Sequence, residues 1–192
     1  MTNITAKMAH SKESVELMCI TQYNTFEFGK KIALLVISAA LIVFGVVGKV
    51  STSISLVCIM IGCFMLTGRN TVAKSRADAV IKQLGGQLPV FNYSFGPTKF
   101  SFNPDTEPVS YTSFFRLAED RDYLYMFLQN RAAFMVQKNT VSGGSVNDLK
   151  ELIARKTNLT WKQPVTLLNF SLKSFRTVTT VFRVPASDPT LI

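Results

Sequence analysis

The chain has 192 residues, of which 47% are hydrophobic, and its 21 Lys and Arg against 12 Asp and Glu give a net charge of +9. One histidine, three cysteines and no CxxC or Cys/His spacing argue against zinc sites and leave Ser/His or Cys/His hydrolases without their usual general base. Net charge is +1 over residues 1–31, +2 over 32–69, +1 over 70–154 and +5 over 155–192, so the chain is basic mainly at its end and nucleic-acid binding is disfavoured.

Residues 1–31 form an N-terminal arm predicted to be cytoplasmic. Alternation from Ile4 to Met8 suits an edge strand. Ser11 can cap a helix with Val15, Met18, Cys19, Gln22 and Phe26 along one side, an amphipathic segment expected on the membrane surface or against a following domain. His10, in a polar context, is read as an exposed side chain without a role.

Residues 32–68 carry a single charge, Lys49, which divides them into apolar stretches 32–48 and 50–68. The first holds eleven Ile, Leu, Val or Phe residues, each favouring insertion by roughly 0.3–0.6 kcal/mol. Its seventeen residues would span about 25 Å, and Phe26 and Phe28 can extend that length while Lys30 and Lys31 reach the headgroups. The second stretch opens with Ser51, Thr52 and Ser53, which belong to a tight turn. The pattern predicts a two-helix transmembrane hairpin. A buried soluble hairpin is disfavoured because soluble cores seldom hold two such segments in succession. A cleaved signal peptide fits poorly, since polar and mixed residues precede the first stretch and no small-residue cleavage motif follows it.

Lys30, Lys31, Arg69, Lys74 and Arg76 flank the hairpin on its open side and only Lys49 lies at the turn, which predicts both termini in the cytoplasm. No ionisable group lies at mid-depth, so the hairpin reads as an anchor rather than a transport pathway. Ser38 and Gly45, and Ser55 and Gly62, recur at a seven-residue spacing that allows close helix approach. Cys19, Cys58 and Cys63 are read as small packing residues.

Residues 70–84 predict a connecting helix that continues the second span and stops at Gly85 and Gly86. Beyond them the hydrophobic period becomes that of strands: residues 90–95, 99–102, 108–118, 123–129 and 132–138, the fourth apolar on both faces. Ser145 then starts a helix with Asp148 completing a capping box and Val146, Leu149, Leu152 and Ile153 on one side. The predicted fold class is therefore a membrane protein of α+β type: the hairpin plus a small antiparallel-sheet cytoplasmic domain over residues 88–156, capped by a C-terminal helix.

The tyrosine-led strand from Tyr111 into Glu119, the Tyr123-Leu124-Tyr125 strand, the Phe134-Met135-Val136 run ending at Lys138 and the amphipathic helix that follows resemble the YcxB-like proteins, small bacterial membrane proteins with a two-helix hairpin and a C-terminal cytoplasmic domain. Hairpin placement and the preceding arm match as well, so the resemblance covers about residues 1–156. It departs at residues 139–141, which lack an aromatic, and in a long tail. The resemblance implies location and architecture, including a pleckstrin-homology-like sheet capped by a helix; fold analogy does not transfer a ligand.

Residues 157–192 form a basic tail in which Leu167, Leu168, Phe170, Leu172, Phe175, Val178 and Phe182 interleave with Lys173, Arg176 and Arg183. This suits contact with anionic lipid, at about 1 kcal/mol per basic group near the surface; extra strands or a disordered end are equally consistent with it. Candidate membrane-surface residues are thus Lys30, Lys31, Arg69, Lys74, Arg76, Lys162, Lys173, Arg176 and Arg183. Glu119, Asp120 and Asp122 could ligate a hard cation, but Arg121 interrupts them and a solvated turn is the simpler reading. Tyr123 and Tyr125 are read as core. No catalytic, cofactor-binding or metal residue is assigned. The expected partners are the bilayer and either an unidentified protein or anionic headgroups, and the expected function is that of a non-catalytic membrane-anchored adaptor or regulator. The alternatives are a lipid-directed enzyme using Glu119 or Asp122, and a small immunity-type protein against a membrane-targeted toxin.

Overall fold

The computed structural model describes residues 3–104 and 106–164, with only the backbone of Arg69. It comprises two compact units: Met1–Thr25 with Asn70–Pro164, and, among the described residues, 26–69. The predicted tail beyond Pro164, with Lys173, Arg176 and Arg183, lies outside the described residues.

The first unit is α+β. Strand β1 (Ile4–Ala9) buries Ile4, Ala6 and Met8 and turns Thr5 and Lys7 outward, as its alternation requires. It pairs antiparallel along its full length with β2 (Val90–Phe95), from Ile4 opposite Phe95 to Ala9 opposite Val90. The N-terminal arm is therefore the first strand of the sheet domain, and everything between Ala9 and Val90 is an insertion into one strand pair. β3 (Lys99–Phe102) and β4 (Val109–Ser110) complete a sheet of order β1-β2-β3-β4.

The expected single run of five antiparallel strands is corrected at Tyr111–Ser113. There the predicted third strand breaks into a 3-10 turn, in which the Ser110 hydroxyl accepts from the Thr112 N–H and the Tyr111 hydroxyl donates to the carbonyl of Gly96. The side chain of Ser110 thus competes with the ladder for the backbone. β4 ends one sheet and β5 (Phe114–Glu119) begins another of order β7-β6-β5-β8, with β6 (Tyr123–Leu128), β7 (Ala133–Gln137) and β8 (Trp161–Lys162). β8 pairs parallel to β5, Leu117 opposite Trp161, so the sheet domain extends past the boundary expected at residue 156. Thr5 and Ser142 exchange backbone hydrogen bonds of 2.8 Å, tying β1 to the loop that follows β7.

Between the sheets lies an aromatic core. Phe100 is fully buried, with the rings of Phe134 and Phe114 centred 5.1 and 5.3 Å away and those of Tyr93, Phe95 and Tyr111 around it. Leu124, Tyr125, Met126 and Phe127 are all buried, which explains why β6 reads as apolar on both faces. Helix α5 (Val146–Thr157) starts at the expected reciprocal cap between Ser145 and Asp148 and buries Leu149 and Ile153. The Trp161 indole N–H donates to the carbonyl of Lys150 at 3.0 Å, tying β8 to that helix.

Two further helices belong to this unit. α1 (Lys12–Phe26) begins at reciprocal bonds between Ser11 and Ser14. Its Val15, Cys19 and Tyr23 pack with Ala73 and Ala77 of α4 (Thr71–Gln83). α4 does not simply continue the second apolar helix, because a 3-10 turn at Gly68–Asn70 intervenes.

The second unit is a pair of antiparallel helices. α2 (Phe28–Val47) has twenty residues, with a mean hydropathy of 2.3 over an 18-residue stretch, long and apolar enough to cross a membrane. α3 (Thr52–Thr67) has sixteen: Ser51 is its N-cap, Thr52 and Ser53 open the helix rather than belonging to the turn as expected, and Gly68 starts the 3-10 turn. The small residues do meet. The Ser55 hydroxyl donates to the Gly45 carbonyl, and a Cβ on Gly45 would lie 2.7 Å from Ile59 Cγ1. Ser38 is fully buried, with its carbonyl against Gly62. Val46, Val47, Met60 and Phe64 face outward, Phe64 78% exposed.

Candidate functional site

The acidic turn after β5 is committed to structure. Asp120 Oδ1 accepts from the backbone N–H groups of Asp122 and Tyr123 at 2.9 and 2.7 Å, and Oδ2 accepts from the Tyr125 hydroxyl at 2.6 Å. Glu119 meets Lys150 at 2.7 Å and Lys138 at 3.1 Å, both also part-buried. Burial pushes the Glu119 carboxyl upward, but hydrogen bonds from Lys150 and Lys138 outweigh that and hold it below the usual glutamate range. A carboxylate so held is an ion-pair partner and a poor proton donor at neutral pH. Asp122 is exposed. Among the described residues, no group of three or more His, Cys, Asp or Glu could hold a metal ion.

Tyr125 is fully buried and burial raises its pKa, so it stays protonated and donates to Asp120. His10 is half-buried rather than exposed: its ring stands edge-on to Phe91 at 5.6 Å, and desolvation lowers its pKa. The cysteines Cys19, Cys58 and Cys63 are all free thiols. An open groove of about 640 Å³ between the start of β1, the β2–β3 turn and α5 carries Ile4, Phe95, Pro97, Glu151, Leu152 and Arg155, a mixed lining without a focused charge.

Among the described residues, the predicted membrane-surface groups have individual surroundings. Lys30 is exposed and paired with Glu27 at 3.1 Å, whereas Lys31 is only 6% exposed and is not extended to a surface. Lys74 pairs with Glu16 at 2.8 Å, and the Arg76 guanidinium lies 5.8 Å from the Tyr23 ring, so both brace α1 against α4. Lys162 is exposed on β8.

A different set surrounds the end of α1, where the chain leaves the sheet unit. α1 has no basic residue in its last turn, and its terminal carbonyls lack intrahelical donors. Arg116 of β5 supplies one, its guanidinium donating to the Thr25 carbonyl. One turn earlier the Gln22 side chain donates to the Arg131 carbonyl at 2.7 Å. Arg131, in the β6–β7 hairpin, has φ +68°, a left-handed conformation that favours glycine. The ladder between β5 and β6 slips between Phe114 and Arg116, leaving Phe115 on a bulge and 50% exposed, with the Arg116 guanidinium 5.8 Å from its ring. Neither Phe115 nor Arg116 stands out in the sequence, because within an alternating strand they read as ordinary in-and-out positions; only the bulge distinguishes them.

Compared with known proteins, the chain matches no family profile, no curated protein and no solved structure. What defines its class is thus its own geometry: an α+β unit of two sheets and capping helices, with an apolar helix pair inserted between its first two strands.

Proposed function

We propose that this chain is a multi-pass inner-membrane protein of the YcxB-like kind, in which α2 and α3 anchor the sheet unit at the cytoplasmic face, and that the sheet unit is a non-catalytic adaptor or regulatory module. The observation that carries this reading is the inverted patterning of the helix pair: Ser38, Gly45 and Gly62 lie inside while Phe64, Val46 and Val47 are outside. An exterior of that kind is stable against hydrocarbon and unfavourable against water. The basic residues bracketing the helices support cytoplasmic termini. Two sheets closed by α5 support the pleckstrin-homology-like description.

The competing reading, an enzyme acting on lipid through Glu119 or Asp122, needs a carboxyl in a cleft with an elevated pKa. Glu119 is instead saturated by two lysines and Asp122 sits on an exposed turn, so the adaptor reading is preferred.

Alkaline carbonate washing of membranes that carry the full chain should leave it in the pellet, and a Lys49→Cys variant should react with an impermeant thiol reagent from the outer side. Release into the supernatant removes the anchor; labelling from the cytoplasmic side alone removes the topology. Cross-linking in intact membranes, comparing the full chain with one ending at Pro164 so that β8 is kept, tests the adaptor role. A partner recovered reproducibly with one or both supports it, and none with either argues against it.

A further inference from the structure

The collar at the end of α1 contains one feature that packing alone does not explain. A bulge in β5 turns an aromatic ring out of the sheet, and bulges commonly re-aim a side chain where a surface is used. Phe115 is thereby half exposed, whereas the neighbouring core residue Phe114 is buried. Arg131 takes the left-handed position that closes the three-residue β6–β7 hairpin, its N–H donating to the Leu128 carbonyl and the Leu128 N–H to that of Ala132, so the hairpin tip carries an exposed arginine where glycine is commoner. Both lie beside the last turn of α1: Arg116 links the Phe115 ring to the Thr25 carbonyl, and Gln22 holds the Arg131 backbone. Thr25 ends the sheet unit's first segment, three residues before the apolar helix α2 starts at Phe28. The acidic residues of the same strand, Glu119 and the turn at Asp120 and Asp122, are at its other end.

The strand is therefore polarised, with an exposed aromatic ring and Arg116 at the end beside Thr25 and carboxylates at the other. An exposed aromatic ring with a cation in the same collar suits the membrane–water interface: the ring takes the boundary between headgroup and acyl chain, Arg116 holds the ring's strand to the Thr25 carbonyl, and the exposed Arg131 is the cation placed to meet phosphate.

We propose that Phe115, projected by the β5 bulge beside Arg116 and in the same collar as the exposed Arg131, inserts into the headgroup layer of an anionic bilayer and sets the stance of the sheet unit on the membrane. This rests on the reading of the helix pair as an anchor. It adds a second, peripheral contact made by the folded unit itself.

The test uses the full chain in vesicles of phosphatidylcholine with a quarter phosphatidylglycerol, and in phosphatidylcholine alone. Phe115→Trp in a Trp161→Phe background reports position 115 by its emission and by quenching from lipids with a spin label near the headgroup. Arg121→Trp in the same background reports the acidic end. The indole introduced at position 115 should be quenched about twofold or more in the anionic vesicles and less in the neutral ones, and the indole introduced at position 121 in neither. A Phe115→Ser chain that keeps Trp161 should remain carbonate-resistant while its sheet unit is digested several-fold faster by added protease on anionic vesicles. Carbonate resistance with an unquenched indole at position 115 overturns the proposal, leaves the anchor intact and turns this face over to a protein partner. Equal quenching in both lipids overturns the anionic selectivity, and carbonate release overturns anchor and collar together.

Discussion

The two units place opposite kinds of side chain inside. In the sheet unit Phe100, Tyr125 and Met126 are buried and Thr5, Lys7 and Asp122 face out. In the helix pair Ser38, Gly45 and Gly62 are inside, and Val47 and Phe64 are outside. The same residue type thus has opposite energetic weight in one chain. In the first unit burial of rings supplies the driving force; in the second, where an apolar surrounding would remove any gain from burying Leu or Phe, close backbone approach and dispersion must hold the helices together.

The sharpest way to break this comparison is to remove one phenylalanine from each unit. Phe100→Ala should destabilise the sheet unit by about 3–5 kcal/mol, since its surrounding rings cannot collapse into the cavity. Phe64→Ala should shift the same denaturant midpoint by less than about 0.5 kcal/mol equivalent, as expected of an exposed side chain. Equal losses in detergent-solubilised protein would show that Phe64 is core.

A smaller effect is expected from filling the helix contact. In Gly62→Leu the new Cβ would lie 2.6 Å from Ile42 Cγ1 and 2.9 Å from the Ser38 carbonyl, forcing the helices apart at a cost of about 1–3 kcal/mol. The helical signal of the detergent-solubilised chain should melt at a lower temperature in that variant. An unchanged melt would mean that α2 and α3 do not pack through these residues.

The smallest effect concerns the ion pairs of the sheet unit. Glu119 has a depressed pKa in the folded protein, so the stability it contributes is present at neutral pH and is lost as pH falls from the ordinary glutamate range through the lower folded value. Glu119→Gln should cost about 1–2 kcal/mol at pH 7 and flatten the decline in Tm over that acidic window. A parallel decline in both proteins would assign the acid sensitivity to other groups.

Much of the local structure is legible from residue order. The alternation of β1, the double-faced apolarity of β6, the Ser145–Asp148 cap and the seven-residue spacing of Ser38, Gly45, Ser55 and Gly62 all correspond to what the structure shows, because each depends on neighbours within a few residues. The misreadings share a physical origin. Tyr111–Ser113 reads as strand, yet side-chain hydrogen bonds at Ser110 and Tyr111 break it. β8 is two residues long and exists only because β5 offers an edge and Lys150 an acceptor. Lys31 reads as a surface lysine and is buried, and the collar around Thr25 needs a bulge and a cap from a strand some ninety residues away.

By itself, the sequence determined where the apolar helices, the cap and most strands lie, since hydrophobic period and turn chemistry act over short distances. Only the tertiary structure decided that the N-terminal arm is the first strand of the sheet domain, that the strands divide between two sheets, and that Arg116 closes α1 beside an outward Phe115. Those outcomes depend on which distant backbone groups satisfy one another. Their partners are chosen when the chain closes on itself, and local pattern carries no record of that choice.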